Sequence, residues 1–155
     1  MPRNMIKFGA VSENRKARFN YTVEDTVEAG IALTGAEIKS LRYGLVNIVD
    51  GFVQHRGGNL FLAGIEIQRL PTAARYINFD ERRPRQLLLH RAQINRLIGK
   101  LNEKGATIFP LKLYFNNHGR LKVLLGVGFG KNRADKRETI KRREWEKDRA
   151  RLMKG

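Results

Sequence analysis

Two stretches near the end of the chain alternate between apolar and polar residues. In the range 107–116, Leu111, Leu113 and Phe115 share one side of the pattern, and the residues between them share the other. A period of two predicts a half-buried strand. The range 120–128 repeats this alternation after an Asn-His-Gly turn, so the two stretches predict a hairpin. Its outer side would carry Lys112, Tyr114, Arg120 and Lys122.

Other apolar segments predict a second hairpin, two further strands and a long helix. The ranges 47–55 and 59–65 flank Gly57-Gly58, a dipeptide typical of hairpin turns. Aromatic and β-branched residues predict strands at 19–23 and 27–33. Apolar residues spaced three and four apart over 90–101 predict an amphipathic helix. Its core side would consist of Ile94, Leu97, Ile98 and Leu101.

A short helix is predicted to begin after Thr34. Thr34 and Glu37 have the spacing of a capping box, in which each side chain accepts a hydrogen bond from the backbone N–H of the other residue. Ile38 and Leu41 lie three apart and predict a core face. Gly44 suits the left-handed residue that ends a helix.

These elements predict a mainly β fold of the β-rich α+β kind. About six strands and two to three short helices in so small a domain indicate a curled antiparallel sheet, an OB-like barrel. We expect a flexible N-terminus over 1–13, the barrel over 14–130 and a basic tail over 131–155. The polar range 68–85 predicts a long loop of functional importance.

Charge narrows the class of partner. The chain has 31 Lys and Arg against 15 Asp and Glu, a formal net charge of +16. In the range 131–155, eleven basic and five acidic residues leave a net charge of +6. A positive field of this size attracts phosphate polymers or anionic membranes, but no apolar run approaches the roughly 20 residues of a spanning helix. We therefore expect a nucleic acid as partner, with a tail that folds on it.

The composition also bears on the cell compartment. The chain has no cysteine, which excludes disulfides and thiolate chemistry and fits a reducing cytosol. The first 18 residues lack the apolar core of a signal peptide. We therefore expect a cytoplasmic protein without a membrane partner.

No catalytic or metal-binding set stands out in the sequence. His55, His90 and His118 are scattered, without an i, i+4 pair that would favour a metal site. The glycines at 126–130 precede Lys131, but the first glycine and the Ser or Thr of a phosphate-binding loop are missing. We expect no enzyme activity, no metal and no cofactor. A nucleic-acid-processing enzyme is a minor alternative, which only the carboxylates keep open.

Two carboxylates are unusual in so basic a chain. Glu37 is expected to cap its helix. Glu28 lies in an apolar strand and either pairs with a neighbouring Arg or accepts a hydrogen bond from a base amino group or a sugar hydroxyl. Aromatic side chains could stack on unpaired bases or pack in the core. Those considered are Phe19, Tyr76, Phe79 and Tyr114.

Six motifs, in order along the chain, closely resemble the bacterial SsrA-binding protein family. They are Asn-Arg-Lys-Ala-Arg at 14–18, Glu-Ala-Gly-Ile-Ala-Leu at 28–33, Gly-Ala-Glu-Ile-Lys-Ser-Leu-Arg at 35–42, Arg-Gln-Leu-Leu-Leu-His at 85–90, Pro-Leu-Lys-Leu-Tyr-Phe at 110–115 and Asp-Lys-Arg-Glu-Thr-Ile-Lys at 135–141. The resemblance covers almost the whole chain from residue 14 onward.

The resemblance implies a non-catalytic RNA-binding protein with an OB-type barrel. Members of the family bind the tRNA-like domain of transfer-messenger RNA (tmRNA, or SsrA RNA) and deliver it to stalled ribosomes for trans-translation, which rescues the ribosome. The partners it implies are tmRNA, the decoding centre and message channel of the small ribosomal subunit, and elongation factor Tu and alanyl-tRNA synthetase through the charged tmRNA. The protein would be a monomer on its RNA, and its tail would fold as a helix in the empty message channel.

The resemblance and the surrounding basic residues give two sets of candidate residues. On the barrel, the RNA-binding candidates are Asn14, Arg15, Arg18, Phe19, Glu28, Lys39, Leu88 and Lys122. In the tail, the candidates for ribosome engagement are Lys131, Arg133, Asp135, Lys136, Arg137, Ile140, Lys141 and Trp145.

The chain departs from the family pattern at two positions. Phe19 replaces a usual His, so it can stack but cannot donate a hydrogen bond. Ala134 replaces a ring that could stack on ribosomal RNA. The alternative to the family function is a general barrel protein that binds single-stranded or ribosomal RNA without tmRNA specificity.

Overall fold

The structure is a computed structural model that describes residues 5–70, 79–131, 144, 145, 147 and 149. Short strands and helices alternate with three long strands between residues 9 and 130. In chain order the elements are β1 (Gly9–Glu13), α1 (Arg15–Asn20), β2 (Tyr21–Ile31), α2 (Gly35–Arg42), β3 (Val46–Asn47), β4 (Phe52–Arg56), β5 (Asn59–Ala63), β6 (Glu66–Ile67), β7 (Arg85–Leu88), α3 (Arg91–Leu101), β8 (Ala106–Phe115) and β9 (Leu121–Gly130).

Seven strands form one antiparallel sheet in the order β1-β8-β9-β2-β7-β5-β4, and β3 pairs with β6 in a separate ribbon. The described part of the chain thus has nine strands, where about six were predicted. The prediction missed β1, β3, β6 and β7 because these short strands have no clear apolar alternation, and it counted β2 as two strands. The predicted mainly β, OB-like class is confirmed, as a curled sheet whose strand β4 packs against β8 without a ladder between them.

Gly51 allows the segment before β4 to approach β8 closely. A Cβ atom on Gly51 would lie 2.6 Å from Cγ of Pro110 on β8 and 2.7 Å from Cγ2 of Ile65. Real Cβ atoms do not come this close to other atoms. Any larger residue at this position would therefore push the segment before β4 away from β8.

The inner sides of β8 and β9 are buried, as their alternation predicted. Leu113, Val123 and Leu125 are at most 1% exposed and belong to the main core. Leu111 lies at a bulge in the pairing of β8 with β9, and it packs in a smaller cluster with Ala17 and Phe109. The bulge divides the apolar side of β8 between two clusters.

The predicted capping box of α2 is confirmed. The backbone N–H of Glu37 donates to Oγ1 of Thr34 at 3.2 Å, and the backbone N–H of Thr34 donates to Oε1 of Glu37 at 2.9 Å. Gly44 has a φ of +72° and ends the helix, as predicted. The prediction that Ile38 shares the core face was wrong, because only Leu41 is buried and Ile38 is 37% exposed.

The second hairpin and the long helix are also confirmed. Gly57 and Gly58, between β4 and β5, have φ values of +59° and +80°, as the central residues of a type I′ turn require. Before α3, the backbone N–H of His90 donates to Oε1 of Gln93 at 3.2 Å. The apolar stripe of α3 faces the main core with Ile94, Leu97, Ile98 and Leu101.

Residues 9–13 correct the prediction of a flexible segment over 1–13. They form β1, which pairs with β8 so that Gly9 lies opposite Phe115 and Glu13 lies opposite Lys112. The partner strand lies about 100 residues away along the chain, and the burial of β1 does not alternate. Periodicity therefore gave no signal for this strand.

The predicted strand at 19–23 was wrong at its start. Phe19 lies in α1, and the strand begins at Tyr21. Asn14 caps this helix because its Oδ1 accepts a hydrogen bond from the backbone N–H of Ala17 at 3.2 Å. The two predicted strands at 19–23 and 27–33 are one strand, β2, which continues past Glu24 by means of a bulge opposite β9.

Candidate nucleic-acid interface

One face of the curled sheet points away from the core and carries polar and basic side chains. Strand register aligns Leu88 on β7, Gly30 on β2, Lys122 on β9 and Tyr114 on β8 in one row across four strands. The next row aligns Glu28, Leu124 and Lys112. We call this surface the outer sheet face, defined by Glu28, Leu88, Lys112, Tyr114, Lys122 and Leu124.

Gly30 leaves the sheet open at the centre of the outer sheet face. A Cβ atom on Gly30 would lie 3.2 Å from Cβ of Leu88, so a side chain here would press on Leu88. Leu88 is 52% exposed, so its apolar side chain is accessible at the surface. The pair forms an apolar notch beside Lys122 that is open to a ligand.

Two shallow hollows meet over Gly30. One extends towards His90 and Gln93 at the start of α3. The other extends towards Ile38 and Arg120. The exposed side chain of Ile38 thus borders the outer sheet face instead of the core, and Arg120 brings a further positive charge to its edge.

A hydrogen bond connects Tyr114 with Glu28 across the outer sheet face. The hydroxyl of Tyr114 donates to Oε2 of Glu28. Burial, and then the hydrogen bond and negative charge of Glu28, raise the pKa of Tyr114 well above its ordinary value. The ammonium group of Lys112 lies 5.4 Å from the centre of the Tyr114 ring. Of the two roles considered for Glu28, pairing with a neighbouring Arg is not seen in the described residues, and Tyr114 is its hydrogen-bond partner instead.

Asn14, a predicted RNA contact, is largely buried and anchors the fold through its side chain. The residue is 3% exposed. Its Nδ2 donates to the carbonyl oxygens of Ile48 at 3.3 Å, Val49 at 3.4 Å and Pro110 at 3.0 Å. These contacts occupy the amide nitrogen of Asn14 and fix the start of α1.

The helix that Asn14 caps presents two predicted basic residues beside the outer sheet face. Arg15 and Arg18 are exposed and line one hollow together with Lys112 and Leu124. The structure thus brings Arg15, Arg18, Glu28, Leu88 and Lys122 of the predicted set to one continuous surface.

Two members of the predicted barrel set lie elsewhere. Phe19 is half-buried in α1 and has contacts within the protein. Lys39 is exposed in the last turn of α2, and none of the hollows described above includes it. Neither residue therefore lines the hollows on or beside the outer sheet face, where Glu28 lies.

Glu37, the other carboxylate of interest, lies in a buried ion cluster. Nε of Arg85 donates to Oε2 of Glu37 at 2.8 Å, and Nε of Arg83 donates to the same oxygen at 3.2 Å. Burial alone would raise the pKa of Glu37, but hydrogen bonds from Arg83, the Thr34 backbone and Arg85 outweigh it and hold the pKa below its ordinary value. Desolvation lowers the pKa of Arg85, which is 0% exposed.

Comparison with known proteins identifies the family. The family model described as SmpB protein matches residues 11–155. The chain belongs to the SmpB protein family. The resemblance inferred from the six motifs is thereby confirmed.

The similarity to individual SmpB family members extends along nearly the whole chain. An SsrA-binding protein of Rhodopseudomonas palustris (strain BisA53) is 54% identical over 153 residues, which cover 99% of this chain and 97% of the relative. An SsrA-binding protein of Methylobacterium radiotolerans is 54% identical over 144 residues, which cover 93% of this chain and 91% of the relative.

A solved structure described as "tmRNA-SmpB: a journey to the center of the bacterial ribosome" contains a similar fold. Its chain is 46% identical to this one, with a TM-score of 0.66. The match covers 83% of this chain and 93% of that chain. The SmpB fold assignment therefore has support from both sequence and structure.

Most of the predicted tail set lies outside the described residues. This applies to Arg133, Asp135, Lys136, Arg137, Ile140 and Lys141. The backbone N–H of Lys131 donates to the carbonyl oxygen of Asn20 at 2.8 Å, so the tail leaves the sheet beside the end of α1. Trp145 is helical and 61% exposed, and the guanidinium of Arg149 lies 5.4 Å from the centre of its ring.

The residues described by the structure contain no group of three or more metal-ligating side chains. They also contain no helix long and apolar enough to cross a membrane. The sequence-based candidate set missed Lys112 and Tyr114 as members of the interface. The alternation in 107–116 already placed both on the outer side of the hairpin, but nothing in the sequence showed that Tyr114 reaches Glu28.

Proposed function

We propose that this chain binds the tRNA-like domain of tmRNA through the outer sheet face and delivers it to stalled ribosomes for trans-translation. The main support for the proposal is that this chain belongs to the SmpB family and that its outer sheet face presents basic, acidic and apolar groups together. The tail, residues 131–155, would then probe the decoding centre and the empty message channel.

The groups at this interface divide the work of RNA recognition. Arg15, Arg18, Lys112 and Lys122 supply positive charge for the phosphate backbone, which provides affinity without selecting a sequence. Glu28 supplies an acceptor for a base amino group or a 2′-hydroxyl. The apolar notch at Leu88 and Gly30 supplies a surface for an unstacked base.

The remaining partners follow from this role. Elongation factor Tu and alanyl-tRNA synthetase would meet the protein through the charged tmRNA and not through a site of their own. The protein would act as a monomer on its RNA, in the cytoplasm where ribosomes translate. It would contribute binding and positioning, with no catalytic step of its own.

A comparison of affinities for two RNAs tests the proposal against a general RNA-binding role. Affinity for the isolated tRNA-like domain and for an unstructured RNA of equal length should be measured over a series of salt concentrations. Both affinities should fall as salt rises, because counterion release contributes to both. We expect a large preference for the tRNA-like domain to persist at every salt concentration. Equal affinity for the two RNAs would instead support the general single-strand binder.

A truncation separates the proposed roles of sheet and tail. The cut is best made after Lys131, since its backbone N–H donates to Asn20 and holds the end of β9. We expect the shortened protein to bind the tRNA-like domain but to lose tagging activity on stalled ribosomes. Lys136→Ala in the full chain should likewise leave RNA affinity unchanged and impair tagging. A loss of RNA affinity on truncation would show that the tail acts mainly as an electrostatic anchor.

A further inference from the structure

We propose that Tyr114 is a positioning residue that fixes the carboxylate of Glu28 towards the bound RNA. The inference rests on the proposed function. Glu28 would accept a hydrogen bond from the RNA, and Tyr114 would orient Glu28 without being that acceptor itself. Its basis is the hydrogen bond between the two side chains on the outer sheet face.

This hydrogen bond joins side chains on two strands that are not neighbours in the sheet. Tyr114 is on β8 and Glu28 is on β2, and β9 lies between these strands. Adjacent strands are about 4.8 Å apart, so the two backbones are separated by about 10 Å. Register places Tyr114 in the row of Lys122 and Glu28 in the row of Leu124. The tyrosine side chain therefore extends diagonally over β9 to reach the carboxylate.

The hydrogen bond leaves Glu28 able to accept from a ligand. Tyr114 uses Oε2, and among the described residues no other hydrogen bond or ion pair to Glu28 is present. An ionised carboxylate has about four lone-pair sites, so most of its acceptor capacity is free. The free oxygen, Oε1, can meet a base amino group or a 2′-hydroxyl.

Holding Glu28 in place matters because the side chain is long and exposed. A free glutamate loses rotamer freedom when it is immobilised by a ligand, and this loss weakens binding. In this protein the tyrosine hydroxyl restricts the carboxylate before RNA arrives. The Tyr114 hydroxyl group, as a hydrogen-bond donor, also offsets part of the repulsion between the Glu28 carboxylate and the phosphates of the bound RNA.

The tyrosine ring is itself held, and its hydroxyl stays protonated at the pH of RNA binding. The ring is half-buried, and the ammonium group of Lys112 lies 5.4 Å from its centre. Since the pKa of Tyr114 lies above its ordinary value, the hydroxyl remains a donor throughout the neutral range. Removing the hydroxyl alone should therefore leave the ring, its packing and the strand pairing in place.

A double-mutant cycle with the transcribed tRNA-like domain tests the inference. Tyr114→Phe should weaken binding about fivefold, the range expected for one released side chain. Glu28→Ala should weaken binding about tenfold or more, and adding Tyr114→Phe to it should change affinity by less than about twofold. Tyr21→Phe is the matched control, because it also removes one tyrosine hydroxyl. The Tyr21 ring stacks on Phe109 with centroids 4.4 Å apart, at the other end of β2 from Glu28. This control should change affinity by less than about twofold.

Failure of the positioning role and failure of the proposed interface give different results. If Tyr114→Phe weakens binding equally with and without Glu28, or does not weaken it in the parent chain, the positioning role is overturned. If Glu28→Ala leaves affinity for the tRNA-like domain unchanged, the proposed interface itself is wrong.

An alkaline titration of tyrosine absorbance supplies a second readout without RNA. Tyr114, one of four tyrosines in the chain, should ionise late, above the ordinary pKa of a tyrosine, while circular dichroism still reports folded protein. This late group should vanish in Tyr114→Phe and should ionise at lower pH in Glu28→Gln, because the acceptor charge has gone. A titration that Glu28→Gln does not change would overturn the contact.

Discussion

Glu28 and Glu37 lie nine residues apart, but the fold gives them opposite environments. Glu37 is 2% exposed and is held by Arg83, Arg85 and the Thr34 backbone. Glu28 is exposed on the outer sheet face, where Tyr114 is its hydrogen-bond partner among the described residues. The oxygens of Glu37 are occupied by hydrogen bonds within the protein, whereas Glu28 keeps most of its capacity to accept hydrogen bonds from a ligand.

The difference shows how a basic chain can use rare acidic residues in two ways. A buried carboxylate must be matched by charge, because an unpaired ion in the interior is very costly. Glu37 thereby ties α2 to Arg85 on β7, the strand that also carries Leu88. An exposed carboxylate can be left partly unmatched and offered to a ligand. We expect mutations at Glu37 to affect folding and mutations at Glu28 to affect RNA binding.

The largest effect is expected from Glu37→Gln, measured as the free energy of unfolding in urea. The variant can keep the capping box, since Gln also fits its third position. It leaves buried Arg85 without the carboxylate to which it is hydrogen-bonded, and breaking such a pair costs about 3 kcal/mol. The matched control is Glu66→Gln, which removes an exposed ion pair with Arg82 at 3.3 Å. The control should cost less than about 1 kcal/mol, and equal losses in the two variants would contradict the buried cluster.

A second effect is expected in acid, where Glu37 becomes protonated. Its pKa is lower in the folded protein than in the unfolded chain, so its contribution to stability is present above the unfolded pKa, about 4.3. This contribution should be lost as pH falls from that value through the folded pKa. Urea unfolding between pH 7 and pH 3 should show the parent losing more stability than Glu37→Gln. Parallel pH curves for the two proteins would argue against this linkage.

The smallest effect on stability is expected from Glu28→Ala. We expect a change in unfolding free energy of no more than about 1 kcal/mol, the net contribution of the one hydrogen bond from Tyr114, with the roughly tenfold loss of RNA affinity described above. Glu24→Ala is a suitable control, because Glu24 is exposed on the same strand and lies 3.8 Å from Lys100. It makes the same change in net charge. If both variants bind RNA equally well, the acceptor role of Glu28 is wrong.

Local signals in the sequence were sufficient where neighbours along the chain form the structure. Thr34 and Glu37 predicted their capping box because the partners are three residues apart. Gly57 and Gly58 predicted the turn between β4 and β5 because only the left-handed region suits that turn. The alternation in β8 and β9 likewise placed Lys112, Tyr114 and Lys122 on one side without knowledge of the fold.

Signals failed where the partner is distant in sequence. Nothing near Asn14 in the sequence showed that its amide contacts carbonyl groups of residues 48, 49 and 110. β1 was missed because its ladder forms with β8. Ile38 satisfied the helical spacing of a core residue, yet α2 packs so that Ile38 borders the outer sheet face.

By itself, the sequence determined the mainly β class, the basic partner-binding character and the family. These follow from periodicity, net charge and ordered motifs, which are properties of the chain read in order. Only the tertiary structure decided which carboxylate is buried with arginines and which is exposed beside Tyr114. The physical reason is that burial and hydrogen-bond partners depend on strand order. The path β2-β9-β8 brings Glu28 and Tyr114 together although 86 residues separate them along the chain.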